Sequence, residues 1–328
     1  MRNVRMPFRR GRSDFGFRIS DLVGILGRVT LLVSDPIYLE HHAPGHVECP
    51  ERVTAILDHF KKVGLLKRLT PLAPRDATGQ ELALVHHPAY VEVVREASVR
   101  GGGWFDADTF LNERSYEVAV RAAGGVLAAV EALRDGRDRT ALCLVRPPGH
   151  HATPERGMGF CLFNNVAIAA RFLKKRVLIV DWDVHHGNGT QDTFEDDPTV
   201  WYLSTHRSPF YPGTGSALER GAGNIINLPM DIDTPREEVL EVFRKGVTKA
   251  AKEFKPEFLI VSCGFDAYEG DPIGGLNLKP QDYRTMTDVV CGIGIPVVSA
   301  LEGGYSLTGL GPCAEQHAEG LLAAGRKA

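Results

Sequence analysis

The chain has 328 residues, 43% of them hydrophobic and 24% charged, with a formal net charge of −3. That balance is ordinary for a globular protein, and it gives no global basic footprint of the kind nucleic-acid binding needs. No apolar run reaches the length of a membrane span. The six Cys at 49, 143, 161, 263, 291 and 313 have irregular spacing and no C-x-x-C, which predicts reduced thiols and a cytoplasmic location.

Residues 1–28 carry seven arginines. They are expected to form a poorly ordered extension rather than a targeting peptide, because no small-residue cleavage pattern follows. A single folded domain is then expected over 29–328, as one unit without internal repeats. Val29–Ser34 reads as the first strand, and 35–51 as a loop rich in His, Pro and Gly. Pro50 suits a helix start, with Val53, Ile56, Leu57 and Phe60 on one face to about Lys62. A second helix opens at His86-His87-Pro88 and is broken by Gly101-Gly102-Gly103. Trp104–Asn112 reads as a loop carrying Asp106 and Asp108, and Ser115 as the cap of a long helix to about Leu133.

Strand and helix patterns then alternate. Strands are predicted at Thr140–Val145, Val177–Asp181, Val200–Leu203, Ile225–Leu228, Phe258–Ser262 and Pro296–Leu301. Helices are predicted at 164–174, 236–254, 280–291 and 312–324. The alternation implies an α/β fold with a mostly parallel sheet flanked by helices on both faces. Ligands in such folds bind beyond the carboxyl ends of the strands.

Four predicted strand ends run into unusual polar residues. These are Arg146-Pro-Pro-Gly-His150-His151, Asp181-Trp-Asp183-Val-His185, Cys263-Gly-Phe-Asp266 and Glu302-Gly-Gly-Tyr305. Asp181, Asp183 and His185 are spaced by two, which places them on one side of an extended chain. A bare acidic strand end paired with a surface Lys or Arg is the plainer alternative, but burying such charges without a partner is costly. Asp183, His185 and Asp266 supply three ligands and leave an open position, the pattern of a catalytic zinc or ferrous ion. His150 and His151 are candidates for proton transfer. Asp181 could orient an imidazole, and Tyr305 could face an oxyanion. Together these parts describe a metal-assisted amide hydrolase. A two-metal site is disfavoured, because no second Asp lies two residues beyond Asp266 and His186 points away from His185.

These motifs, with Gly159-Phe-Cys-Leu-Phe-Asn-Asn165 and Gly264–Pro272, resemble the histone deacetylase family in its broad sense, which includes bacterial deacetylase-like amidohydrolases and acetylpolyamine amidohydrolases. The match runs from about Val29 to the C-terminus. The resemblance implies an arginase/deacetylase fold of about eight strands and zinc-dependent removal of acetyl groups from amines. By resemblance, Asp183, His185 and Asp266 are the zinc ligands, and His151 is the general base and acid beside His150. Tyr305 polarises the carbonyl, while Phe160 and Tyr211 wall an acyl-lysine tunnel with Gly159 and Gly304 beside it. Asp181, Ser204 and the backbone of Asp183 and His185 hold potassium. Asp106 or Asp108 is the rim aspartate, and Arg52 lies at an acetate-exit channel.

Tyr211 stands where many members have Phe. Asn188 stands where class I members have Asp, which resembles class II and should leave His151 less basic. Ile273 stands where one polyamine-selective subgroup has Glu. This favours acetyl-lysine in peptides or proteins, or another neutral acylamine. Glu269 could still bring acidity to the mouth, so an acetylpolyamine amidohydrolase is the alternative within the enzyme class. A non-catalytic acyl-lysine-binding protein would be expected to lack a ligand or the tyrosine, and none is missing. With no long insertion loop to narrow the entrance, a monomer is expected.

Overall fold

The computed structural model describes residues 30–326, so the Arg-rich segment lies outside the described residues. In chain order, β1 (Thr30–Val33), α1 (Glu51–Lys62), β2 (Leu69–Pro71), α2 (Gly79–Leu82) and α3 (Pro88–Val99) come first. A short hairpin of β3 (Gly103–Trp104) and β4 (Phe110–Leu111) leads into α4 (Ser115–Arg134). The remainder is β5 (Thr140–Cys143), α5 (Asn165–Leu173), β6 (Val177–Asp181), α6 (Asn188–Phe194), β7 (Val200–Arg207), β8 (Ile225–Met230), α7 (Arg236–Phe254), β9 (Phe258–Cys263), α8 (Pro280–Cys291), β10 (Val297–Leu301) and α9 (Leu307–Arg326).

Eight strands form one sheet in the order β2-β1-β5-β10-β9-β6-β7-β8, and every neighbouring pair is parallel. All eight carboxyl ends therefore share one edge. The central strands β5, β6, β9 and β10 are buried along their whole length, as continuous apolar runs in a two-sided parallel sheet must be. Side chains of opposite pleat go to different cores. Leu178 and Val180 pack with α7–α9 on one face, while Val177 and Ile179 pack with α4 and α5 on the other. The four strands that run into polar motifs are adjacent in the order β5-β10-β9-β6, so their following loops open on one crevice.

Several local expectations differ. Pro50 is the residue before α1 rather than its first turn. Ser115 is the first residue of α4, not its cap. Its hydroxyl instead meets His41 Nδ1 at 2.7 Å and the Asn112 amide N–H at 2.7 Å. The expected loop over 104–112 contains the β3–β4 hairpin. The Gly-punctuated stretch after His186 becomes α6. Pro312 lies inside α9, which starts five residues earlier. Proline there removes one helical donor, and the carbonyl it leaves free belongs to exposed Thr308.

Candidate active site

β6 ends at Asp181, so the strand pleat does not extend to Asp183 and His185 as the spacing suggested. Their convergence has another cause. Asp181 Oδ1 accepts the Asp183 N–H at 3.1 Å, and Asp183 Oδ1 accepts the His185 N–H at 3.0 Å. Two successive side-chain turns fold the segment so that each carboxylate fixes the next functional residue. From the loop after β9, Asp266 reaches the same point, where its Oδ1 accepts the Val184 N–H at 2.8 Å. His185 Nδ1 is 3.0 Å from Asp183 Oδ1 and 3.1 Å from Asp266 Oδ2.

One potential ligand atom from each of Asp183, His185 and Asp266 lies within 4.8 Å of the others, and all three residues are buried. Two carboxylates and an imidazole in this arrangement fit one divalent cation with a position left for substrate. The surrounding backbone is cut to the same shape. A Cβ on Gly303 would lie 2.0 Å from Asp266 Oδ2 and 2.5 Å from Asp183 Oδ2, so only glycine fits there. The Gly303 N–H donates to Asp183 Oδ2 at 2.7 Å. Phe210, which the sequence reading passed over, stacks on the His185 ring with centroids 5.0 Å apart.

The tandem histidines lie side by side with ring centroids 4.0 Å apart, yet their surroundings are opposite. His150 Nδ1 is 3.0 Å from Asp181 Oδ2. Burial works against charge on this ring, but Asp183 and Asp181 outweigh it and hold the pKa up to about 10. His151 Nδ1 is 2.9 Å from Asn188 Oδ1. Burial, with His150 and His185 nearby, holds its pKa well below the usual histidine value. The Asn188 amide nitrogen faces the His151 carbonyl at 3.4 Å, so its oxygen is the acceptor for His151 Nδ1–H. That tautomer leaves a lone pair on Nε2.

Tyr305 lies buried at the end of the β10 loop. Burial raises the phenol pKa well above its ordinary value, with Arg52 acting in the other direction. It stays a hydroxyl donor. Its ring rests on the Arg52 guanidinium at 4.8 Å and meets Phe160 edge-on at 5.7 Å. Phe160 takes a positive φ of 68° directly after Gly159, and its N–H is held by Thr109 Oγ1 at 3.1 Å. Tyr211 stands edge-on to His151 at 5.2 Å and to His185 at 6.2 Å. The two aromatic candidates for the tunnel wall thus each border the catalytic candidates.

Between β3 and β4, Asp106 Oδ1 accepts the N–H groups of Asp108 and Thr109 at 3.2 and 2.7 Å. It is used by its own turn. Asp108 acts more strongly than Asp106 in raising the Tyr211 phenol, after burial itself. Ile273 is half-buried and Glu269 exposed on the loop after β9. Asp181 and Ser204, the candidate potassium side chains, are register neighbours on β6 and β7.

Arg52 is fully buried. It donates to the Gly304 carbonyl at 2.6 Å, to the Glu302 carbonyl and to Glu48 Oε1 at 2.8 Å. Glu48 also takes a two-pronged bond from Arg146, both contacts at 2.6 Å. Glu302 accepts the Gly149 N–H at 2.7 Å and the His150 N–H at 3.2 Å, tying the histidine loop to β10. Glu48 and Glu302 carried no role in the sequence reading. Glu302 stands in the marked Glu302-Gly-Gly-Tyr305 strand end, whereas Glu48 follows no local pattern that would have marked it.

This arrangement can bind a neutral amide between aromatic walls, beside a cation site and a neutral base. A family model described as the histone deacetylase domain matches residues 46–321. A probable deacetylase of the archaeon Methanothermobacter thermautotrophicus is 38% identical over 293 residues, covering 86% of this chain and 87% of that protein. Polyamine deacetylase HDAC10 of Homo sapiens is 41% identical over 287 residues, covering 80% of this chain but 43% of that protein. The solved structure of the HDA15 HD domain superposes with a TM-score of 0.85 at 37% identity, covering 91% of this chain and 89% of that one. The chain belongs to the histone deacetylase family, whose members are hydrolases of amide bonds. It spans most of the archaeal relative but less than half of the human one. Among the described residues, no helix is long and apolar enough to cross a membrane.

Proposed function

We propose that this chain is a zinc-dependent deacetylase that hydrolyses the amide of an acetylated amine, most readily acetyl-lysine in a peptide or protein. The observation that carries this reading is the convergence of Asp183, His185 and Asp266 beside two adjacent histidines, one partnered by a carboxylate and the other by a neutral amide. Neighbouring titratable groups whose surroundings drive them apart are assigned as base and charged partner.

Asp183, His185 and Asp266 would hold the cation, zinc or ferrous iron. When bound it supplies Lewis acidity, making water a nucleophile and polarising a carbonyl. His151 Nε2 takes the proton of the attacking water and returns it to the leaving amine. Asn188 holds the ring in the required tautomer. His150, held by Asp181 at 3.0 Å, would supply positive charge beside the forming oxyanion. Tyr305 donates its hydroxyl to that oxygen. Phe160 and Tyr211 enclose the alkyl stem, with Gly159, Gly304 and Ile273 completing the tunnel and Asp108 at the rim. Arg52 would meet acetate behind Tyr305. Asp181, Ser204 and the backbone of Asp183 and His185 offer an all-oxygen set suited to potassium, a structural ion. The acceptors here are an acetylated peptide or a small acetylamine, with no nucleic-acid or membrane partner, and a monomeric cytoplasmic enzyme is the accompanying reading.

Apolar Ile273 supports a neutral stem. The carboxylates of Asp106 and Asp108 at the mouth favour a second reading, an acetylpolyamine substrate. Acetate release by the zinc-loaded chain, from an acetyl-lysine peptide and acetylspermidine side by side, tests both. Faster release from the peptide is expected. Faster release from acetylspermidine would reverse the substrate assignment, and no release from either would remove the deacetylase reading.

A further inference from the structure

We infer that Asp271 is a positioning residue for Tyr305. The inference rests on the reading of Tyr305 as the donor to the substrate carbonyl.

Tyr305 follows Gly303 and Gly304, and Gly304 has a φ of +112°. Two glycines give the backbone wide freedom, so something outside the segment must fix where Tyr305 begins. Asp271 does this from the loop after β9. Its Oδ2 accepts the Tyr305 N–H at 2.6 Å and the Ser306 N–H at 3.1 Å. Its other oxygen accepts the Ile273 N–H at 3.1 Å. One carboxylate therefore links the tunnel-mouth residue to the backbone of the tyrosine.

Helix capping does not account for the contact. α9 already has its own cap, since Ser306 Oγ accepts the Gly309 N–H at 3.2 Å. The other holds on the two glycines are Asp183 on the Gly303 N–H, the Phe265 N–H on the Gly303 carbonyl and Arg52 on the Gly304 carbonyl. All three act before the tyrosine. Asp271 is the contact at the tyrosine itself, and the ring is then clamped between Arg52 and Phe160. Loss of the carboxylate would let Tyr305 pivot on its glycines. Displacing a reacting group by about 1 Å can cost about 100-fold in rate.

The test is a double-mutant cycle in the full zinc-loaded chain. It uses Asp271→Ala, Asp271→Asn, Tyr305→Phe and the double variants, with whichever of the two acetylated substrates is turned over faster. Asp271→Ala should lower kcat by roughly 10- to 100-fold, with KM little changed and the full zinc content. Asp271→Asn keeps one acceptor oxygen and should fall between. In the Tyr305→Phe background, removing Asp271 should cost nothing further, because the hydroxyl it places is gone. Losses that multiply independently would overturn the inference, as would an unchanged kcat in Asp271→Ala. If the alanine variant does not fold, Asp271→Asn carries the same cycle. An unchanged kcat in Tyr305→Phe alone would instead remove the role of the tyrosine, a separate and distinguishable failure.

Discussion

Asn188 and His151 form a two-point contact. The imidazole Nδ1 lies 2.9 Å from the amide oxygen, and the amide nitrogen lies 3.4 Å from the His151 carbonyl. The asparagine fixes the ring without bringing it charge. A carboxylate here would favour the imidazolium. Asn188→Asp should therefore raise the His151 pKa, and the acid limb of kcat/KM, which requires the neutral base, should move to higher pH. A shift of roughly one unit or more is expected for a direct carboxylate partner. A pH–rate profile superimposable on that of the parent would exclude His151 as the titrating base.

Removing a ligand tests the metal centre without relying on turnover. Asp183→Ala should lose bound zinc and activity together, because Asp183 also holds the N–H groups of His185 and Gly303. Chelation of the parent should abolish activity, and zinc or ferrous iron should restore it. Metal content by elemental analysis and acetate release are the two measurements. Full zinc occupancy in the alanine variant would refute the ligand assignment.

Buried histidines outside the candidate metal-ligand and proton-transfer groups set a steep acid limit on stability. Burial lowers His41 and His317 to about 3, and His86 and His206 to about 4. Their folded pKa values lie below the unfolded value near 6.5, so below that pH the unfolded chain binds more protons. Stability should fall as pH drops from about 6.5 toward 4, by about 1.4 kcal/mol per pH unit for each such histidine. Urea midpoints at pH 7, 6 and 5 would measure this. A constant midpoint over that range would contradict it.

Glu48 joins two buried guanidiniums. Burial alone would raise its carboxyl, but Arg146 and Arg52 hold it down to about 2. Glu48→Gln would leave both arginines without their counter-charge in the interior. Breaking a buried pair from one side typically costs about 3–5 kcal/mol, and that loss is expected in denaturant unfolding. A change within about 0.5 kcal/mol, the range of ordinary surface substitutions, would show that water or the carbonyls around the cluster compensate.

The sequence by itself determined the parallel α/β architecture and the four polar strand ends. Continuous apolar runs such as Val177–Asp181 and the alternation with amphipathic helices are local patterns, and the sheet rule carries those ends to one edge. It also identified Asp183, His185 and Asp266 as a set, although Asp183 and His185 converge through side-chain turns rather than the strand pleat. Tertiary structure alone decided the rest. Glu48 meets Arg146 across 98 positions, and Asp271 meets Tyr305 across 34. Neither pair has a spacing that sequence periodicity can register. The difference in surroundings between His150 and His151 is invisible in a His-His dipeptide. It arises because folding puts the Asp181 carboxylate beside one ring and the neutral Asn188 amide beside the other, and burial strengthens the effect of that difference.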